Sequence, residues 1–267
     1  MVIPTLDGSR GGCLAQLLKQ LEGQNRSDFE TFVVKGDPRQ GRAINLAAAL
    51  ARGDYLLTLD DDTSLPDPDT FSRLVRVMEA HPDIGLAGGN NLIPQNASTF
   101  VKRTMKEIPR RSWIMVNGIT DSDLAEHPCL IMRTAEFKAV GGENELIPRG
   151  LDPYLRREFR KAGKRVVVVP GVVYHHLPPY TLRLLVKQFY RNGRDAAFVN
   201  YHYPQWVIET PATHGEFIEH VASANRVARF GLRLLRALAR GQLILFASEF
   251  CYALGYLSHR LFGKASV

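Results

Sequence analysis

The sequence has few cysteines and no long uninterrupted apolar segment. Only three of its 267 residues are cysteine, and none of them forms a CxxC pair. This spacing favours neither a disulfide framework nor a structural zinc site, so a reducing compartment is expected. The first ten residues, MVIPTLDGSR, also lack the basic and apolar segments of a secretory signal. We therefore expect a cytoplasmic protein.

Acidic residues are nearly missing from the end of the chain, and this is where the net charge of +7 is concentrated. From residue 223 onward Glu249 is the sole acid. The rest of the chain is close to neutral, which argues against nucleic acid as a partner. The basic residues of this segment are Arg226, Arg229, Arg233, Arg236, Arg240, Arg260 and Lys264.

The arginines between residues 226 and 240 recur every three or four positions, so they predict one basic face of an amphipathic helix. The apolar stretch that follows is interrupted by Glu249, which would be costly inside a bilayer. We expect residues 216–267 to form amphipathic helices on the inner face of a membrane, with arginines toward anionic lipid. The alternative is a helical pair packed on the rest of the chain.

Apolar runs of strand length alternate with helical patterns in the first half of the chain. The strand-like runs cover residues 2–4, 31–34, 55–59 and 84–87. Such alternation predicts an α/β fold with a mostly parallel central sheet flanked by helices.

Three consecutive aspartates, Asp60, Asp61 and Asp62, follow the third strand-like run. Asp67 and Pro68 then predict the N-cap and first residue of a helix. The triplet therefore lies at the carboxyl end of a strand, the edge at which α/β sheets bind ligands. Alternation directs Asp60 and Asp62 to one side, where they would bind a divalent cation. The alternative is a set of solvated loop acids.

Four segments, in this order, resemble the family 2 glycosyltransferases with the GT-A fold. They are VIPT, GRAINLAAALARGDYLLTLDDDT, AVGGENELIPRGLDPYLRREFRKAGKRVVVVPGVVYHH and KQFYRNGRDAA. The resemblance implies a Rossmann-like GT-A catalytic domain over residues 1–215, with a nucleotide-sugar half (1–90) and an acceptor half (91–215). It also implies inverting transfer from a nucleotide-sugar donor, with Mn²⁺ or Mg²⁺ held by Asp60 and Asp62.

The resemblance further implies a general base at Asp152, where the family usually has Glu-Asp and this chain has Leu151-Asp152. Asp152 also precedes Pro153 and a helical pattern, so an N-cap is the alternative. In related enzymes a histidine after the next strand completes the metal shell. Because side chains alternate along a strand, only one of His175 and His176 is expected to face the aspartates. The sequence leaves the choice open, and we assign His175.

The resemblance assigns the nucleoside pocket to Pro4 and Thr5. The aspartate that usually contacts the base is replaced by Lys35, and we expect Asp37 to substitute for it. A glycine-led helix start would present Arg42 to the diphosphate, with a surface arginine as the alternative. The remaining donor-site assignments are Asn45 and Asp61.

Gln188 and Arg191 lie within one turn of a predicted helix and match a Gln-x-x-Arg element that contacts acceptor or diphosphate. The tryptophan that normally follows is Asn192 here, so processive synthesis is not supported. The expected acceptor is a lipid-linked or cell-envelope glycan. The alternatives are transfer to a polyprenyl phosphate, or a non-catalytic membrane-associated protein with a degenerate nucleotide domain.

Overall fold

The computed structural model describes residues 1–208, 217 and 223–263, without the side chains of 223–227. Its contacts divide the chain into two compact units. The first consists of Met1–Pro94, Ser112–Leu177 and Thr213–Phe217, and the second of Gln95–Arg111, Pro178–Ala212 and Ile218–Val267. The domain boundary expected between residues 215 and 216 lies outside the described residues.

The first unit is built on a mixed sheet. Its strands are β1 (Val2–Thr5), β2 (Phe32–Lys35), β3 (Tyr55–Thr58), β4 (Thr63–Ser64), β5 (Ile84–Asn91), β6 (Thr120–Asp121), β7 (Leu130–Arg133) and β8 (Arg165–His176). Across the described residues the order is β2-β1-β3-β7-β5-β8-β4, with β6 paired to β8. β1 is parallel to β2 and β3, and β5 to β8, whereas β7 is antiparallel to β3 and β5. The α/β architecture is confirmed, although the sheet is mixed rather than mostly parallel.

Helices flank this sheet and form most of the second unit. They are α1 (Cys13–Glu22), α2 (Gln40–Leu50), α3 (Thr70–Ala80), α4 (Thr99–Glu107), α5 (Thr134–Ala139), α6 (Leu151–Lys161), α7 (Leu182–His202), α8 (Ser223–Ala239) and α9 (Leu243–Phe262). The N-cap of α3 is Asp69, not Asp67 as predicted. Asp67 instead accepts the Asp69 amide and forms the turn before the helix.

Apolar side chains cover both faces of the sheet. Leu56 packs in a cluster with residues of α2 and α6, whereas its neighbour Leu57 packs in a second cluster with residues of α1 and α3. Because side chains alternate along a strand, the two clusters lie on opposite faces. Ligands therefore have access at the carboxyl edge of the strands.

β8 is one long strand with an irregularity in its middle. Gly171 has a φ of +73°, and the pairing with β5 shifts register nearby. The Asn90 side chain donates hydrogen bonds to the carbonyl oxygens of Val169 (2.8 Å) and Val172 (2.9 Å) across this irregularity. The strand therefore continues to His176, where it pairs with β4.

In the second unit, α7 and α9 approach each other at glycines. A Cβ atom on Gly193 would overlap the backbone of Tyr252, and one on Gly255 would overlap the backbone of Tyr190. Glycine is therefore required at both positions for this close packing.

The glutamate that interrupts the apolar stretch of α9 has a partner on α8. Arg233 Nη2 lies 2.7 Å from Glu249 Oε2, and Glu249 is only 9% exposed. This ion pair within the helical hairpin thus offsets the desolvation cost of burying Glu249. None of the described helices combines the length and apolarity needed to cross a bilayer.

Candidate active site

Asp60, Asp62 and His176 form a group of potential metal ligands beyond the carboxyl end of β3. One ligand atom from each residue lies within 4.8 Å of the others. His176 Nε2 is 3.2 Å from Asp62 Oδ1 and 3.8 Å from Asp60 Oδ2. Gln40, at the start of α2, donates a hydrogen bond of 2.9 Å to Asp60 Oδ1. Two carboxylates and an imidazole suit Mn²⁺, and the carboxylates also suit Mg²⁺.

The imidazole of this group belongs to His176, which corrects our assignment of His175. Antiparallel pairing sets Thr63 opposite His176 and Ser64 opposite His175. His175 Nδ1 instead lies 2.7 Å from the carbonyl oxygen of Leu92. The sequence shows the alternation of the two histidines, but the register with β4 decides which one faces the aspartates.

The pKa values of Asp60 and Asp62 are shifted in opposite directions. Burial raises the pKa of Asp60 to about 6, and the charge of Asp62 adds to this shift while His176 opposes it. Burial also disfavours the Asp62 anion, but His176 and Arg10 outweigh it and hold the pKa of Asp62 well below its usual range. A divalent cation here would favour the ionised form of Asp60, because it opposes the charge that burial penalises.

Arg10 is a cation at this site that no motif in the sequence indicated. Its Nε and Nη2 atoms donate to Asp62 Oδ2 at 3.1 and 2.8 Å, and Nε lies 3.7 Å from Asp61 Oδ1. Asp61 also accepts a hydrogen bond from the Thr5 side chain, and so lies outside the metal group. The only sequence signal for Arg10 is its place in the glycine-rich loop after β1.

The structure pairs Arg42 with Asp37. Arg42 donates from Nε and Nη2 to the two carboxylate oxygens of Asp37 at 2.6 and 2.9 Å. This bidentate contact, opposed by burial, lowers the pKa of Asp37. The two residues expected to contact base and diphosphate thus contact each other.

Asn45 forms hydrogen bonds with the loop that follows α5. Its Nδ2 donates to the Glu143 carbonyl oxygen (2.9 Å) and to Glu145 Oε1 (2.8 Å), while its Oδ1 accepts from the Glu143 amide (2.8 Å). Both amide hydrogens are therefore used within the protein. Pro4 and Thr5 lie at the end of β1, and Thr5 Oγ1 accepts from the Gly8 amide at 3.1 Å.

Asp152 is the second residue of α6. The N-cap is Gly150, so the alternative that Asp152 caps this helix is wrong. Asp152 Oδ1 accepts a hydrogen bond of 2.8 Å from the backbone amide of His127. Burial disfavours the anion, but His127 and Arg156 outweigh it and lower the pKa of Asp152. The charge of Asp152 makes a small contribution to the raised pKa of Asp60.

His127 and Glu143 are buried acid–base residues that the sequence did not indicate as functional. His127 Nε2 lies 2.9 Å from Glu143 Oε1 and 4.0 Å from Asp152 Oδ1. The two residues are 16 positions apart in segments without clear periodicity, so only the fold brings them together.

Gln188 and Arg191 lie on α7 in the second unit. Gln188 Oε1 accepts a hydrogen bond of 3.4 Å from Arg111 Nη2 of the same unit. Their role toward acceptor or diphosphate stays a prediction.

Comparison with known proteins identifies the family of this chain. The sequence matches "Glycosyl transferase family 2" over residues 2–136, which is just over half of the chain. No curated protein matches it.

The fold is similar to that of solved glycosyltransferases. The mannosyltransferase PcManGT from Pyrobaculum calidifontis, in complex with GDP-Man and Mn²⁺, has 13% identity and a TM-score of 0.55, with 96% of this chain and 86% of that chain covered. S. aureus TarS 1-349 in complex with UDP-GlcNAc has 17% identity and a TM-score of 0.53, with 97% and 91% covered. At such identities the likeness shows a shared GT-A fold. The family match removes the non-catalytic alternative: the chain belongs to glycosyl transferase family 2 and is a glycosyltransferase.

Proposed function

We propose that the chain moves a sugar, with inversion, from a nucleotide-diphosphate sugar to a glycan or glycolipid acceptor, with Asp152 as general base. The observation that carries this proposal is the nearness of two features. The group Asp60, Asp62 and His176 can hold a divalent cation. The backbone amide of His127 holds Asp152, and the His127 side chain contacts Thr58, two residues before Asp60; His127 and Arg156 keep Asp152 ionised.

The donor class is supported by the charges at the end of β1 and β3. Asp60, Asp62 and His176 would hold Mn²⁺ or Mg²⁺, which when bound supplies positive charge to the leaving diphosphate. Arg10 adds a protein cation at the same place. PcManGT and TarS were solved with GDP-Man and UDP-GlcNAc, respectively, which supports a nucleotide sugar without selecting the base or the sugar.

The proposed step is a single displacement. The acceptor oxygen bonds to the anomeric carbon while the bond from that carbon to the diphosphate oxygen breaks, and the bonding electrons leave with the diphosphate. The proton of the acceptor hydroxyl passes to Asp152. Because the pKa of Asp152 is lowered, this carboxylate is ionised at neutral pH, as a general base must be.

The acceptor class is inferred from the surface of the second unit. Exposed apolar side chains on α9 are spaced by seven, four, three and four residues, which places them on one helical face. α8 adds exposed leucines beside its arginines. A continuous apolar stripe next to cations is typical of a helix lying on an anionic membrane. The residues of the α9 stripe are Leu243, Phe250, Leu254, Leu257 and Leu261.

We infer from this surface a peripheral location on the cytoplasmic face of the membrane. A lipid-linked or cell-envelope glycan would be presented there, and the exposed stripe would bring the enzyme to it.

Replacement of Asp152 by asparagine tests the base. We expect kcat for nucleoside-diphosphate release, measured with a hydroxyl acceptor, to fall about 10²- to 10⁴-fold, because asparagine cannot take the proton. Binding of the nucleoside diphosphate with Mn²⁺ should not change. Glu158→Gln, on the same helix and paired with Lys161, is the matched control. An unchanged kcat in Asp152→Asn would contradict the role of Asp152 as general base.

A further inference from the structure

A buried imidazole connects two carboxylates beside the proposed reaction centre. His127, in the 3-10 turn before β7, is 2% exposed, and Glu143 is 3% exposed. His127 Nε2 lies 2.9 Å from Glu143 Oε1, and His127 Nδ1 lies 3.1 Å from Thr58 Oγ1. The backbone amide of His127 donates to Asp152 Oδ1 at 2.8 Å. The side chain of His127 thus lies against Glu143 and Thr58, while its backbone amide holds Asp152.

The contacts of Thr58 indicate which atoms of His127 carry hydrogen. The Thr58 hydroxyl donates to the carbonyl oxygen of His127 at 3.2 Å, so its oxygen is left to accept from Nδ1. Nε2 faces a carboxylate oxygen, which also requires a hydrogen when Glu143 is ionised. With Glu143 ionised, this arrangement fits an imidazolium, in which both nitrogens carry hydrogen. Burial raises the pKa of Glu143, and the charge of His127 opposes that shift.

We propose that the Glu143–His127 pair positions Asp152 and keeps it ionised for proton removal. This inference rests on the proposed function, in which Asp152 is the base. Glu143 holds the imidazolium through the ion pair, and the imidazolium places a positive charge 4.0 Å from Asp152 Oδ1. His127 and Glu143 act through Asp152 and are positioning residues.

The charges around Asp152 come from several elements. His127 faces it from the 3-10 turn, Arg156 from one turn further along α6, Glu143 from the loop after α5, and Asp60 from the segment after β3. Burial alone would lower the pKa of His127, but Glu143 and Asp152 outweigh it and raise this pKa to about 9. Without Glu143 the pKa of His127 should fall, the positive charge beside Asp152 should be lost, and the pKa of Asp152 should rise.

The test compares Glu143→Gln with Glu145→Gln. Glu145 is exposed and two residues away, and its carboxylate accepts from Asn45. In Glu143→Gln we expect kcat at pH 7 to fall at least tenfold and the acidic limb of kcat against pH to move to higher pH. KM for the nucleotide sugar, and the Kd of the nucleoside diphosphate with Mn²⁺, should stay within twofold. Glu145→Gln should match the wild type in all four measurements.

A second measurement needs no variant. The imidazole ¹⁵N shifts of His127 in the wild-type protein at pH 7.5 should show both nitrogens protonated. A neutral His127 would overturn the inference, as would an unchanged kcat and acidic limb in Glu143→Gln. A parallel loss of kcat and nucleotide affinity would also overturn it, because that pattern reports a structural role.

The outcomes separate this inference from the proposed function. If Asp152→Asn loses kcat while Glu143→Gln keeps it, only the role of the Glu143–His127 pair is wrong. If Asp152→Asn keeps the wild-type kcat, the proposed base is wrong.

Discussion

Asp60, Asp61 and Asp62 are consecutive in the sequence, but each has a different environment. Asp60 accepts from Gln40 and has a raised pKa, Asp61 contacts Thr5, and Asp62 is held ionised by His176 and Arg10. Three adjacent like charges are therefore tolerated because separate partners neutralise or shield them. The two that face one another are those that can share a cation.

At the residue scale, His176 should contribute to metal binding and His175 should not. We expect His176→Ala to weaken Mn²⁺ binding, measured by titration calorimetry with nucleoside diphosphate present, by roughly 10- to 100-fold, as loss of a metal-site interaction commonly does. His175→Ala is the matched control, because its Nδ1 contacts the Leu92 carbonyl oxygen. Equal losses in both variants would contradict the assignment of His176.

The sequence predicted the aspartates better than their partners, and the reason is physical. The position of Asp60 and Asp62 follows from local signals, an apolar run followed by acids. The choice of His176 over His175 depends on strand register, and the contact of His127 with Glu143 depends on tertiary packing. Neither strand register nor tertiary packing produces a periodic pattern in the sequence.

At the scale of elements, the packing of α7 on α9 depends on Gly193 and Gly255. Each lies against the backbone of the other helix, where a side chain would force the two helices apart. Sequence patterns predicted both helices but not their crossing, because an isolated glycine within a helical pattern does not identify its partner.

Gly255→Ala should destabilise the second unit. Its new methyl group would meet the carbonyl oxygen of Tyr190, and overpacking of this kind costs about 1–3 kcal/mol of the free energy of unfolding. Gly231→Ala in α8, where no described atom outside the helix's own backbone lies within 4 Å of the new Cβ, should instead be neutral or stabilise by up to about 1 kcal/mol. Urea unfolding of both variants measures the difference. A similar effect of the two substitutions would show that α7 and α9 do not approach so closely.

The exposed stripe of α9 should mediate membrane binding. We expect Leu254→Glu to reduce co-sedimentation with vesicles containing anionic lipid by at least about tenfold, since it removes apolar burial and adds repulsion from the surface. Leu50→Glu, at a leucine of α2 that is also exposed, is the control and should bind as the wild type does. Equal binding by both variants would show that the stripe does not contact lipid.

At the scale of the whole molecule, the sequence predicted the fold class. Strand β1, for example, was predicted at residues 2–4 and extends over Val2–Thr5. The antiparallel strand β7 was not predicted, because the direction of a short apolar strand depends on its neighbours in the sheet. The basic segment was predicted as helical, and α8 and α9 are helices.

The central claim is that the aspartate cluster of this glycosyltransferase binds a nucleotide through a divalent cation. The most direct measurement is the binding of UDP, dTDP, GDP and CDP, with and without Mn²⁺, to the wild type and to an Asp60→Asn, Asp62→Asn double variant. An Asp67→Asn, Asp69→Asn double variant is the control, because it removes the same charge from the next loop. We predict that one nucleotide binds the wild type and the control only with Mn²⁺, and that the Asp60/Asp62 variant loses this binding. Binding of the same strength to all three proteins, or binding that does not depend on Mn²⁺, would contradict the claim.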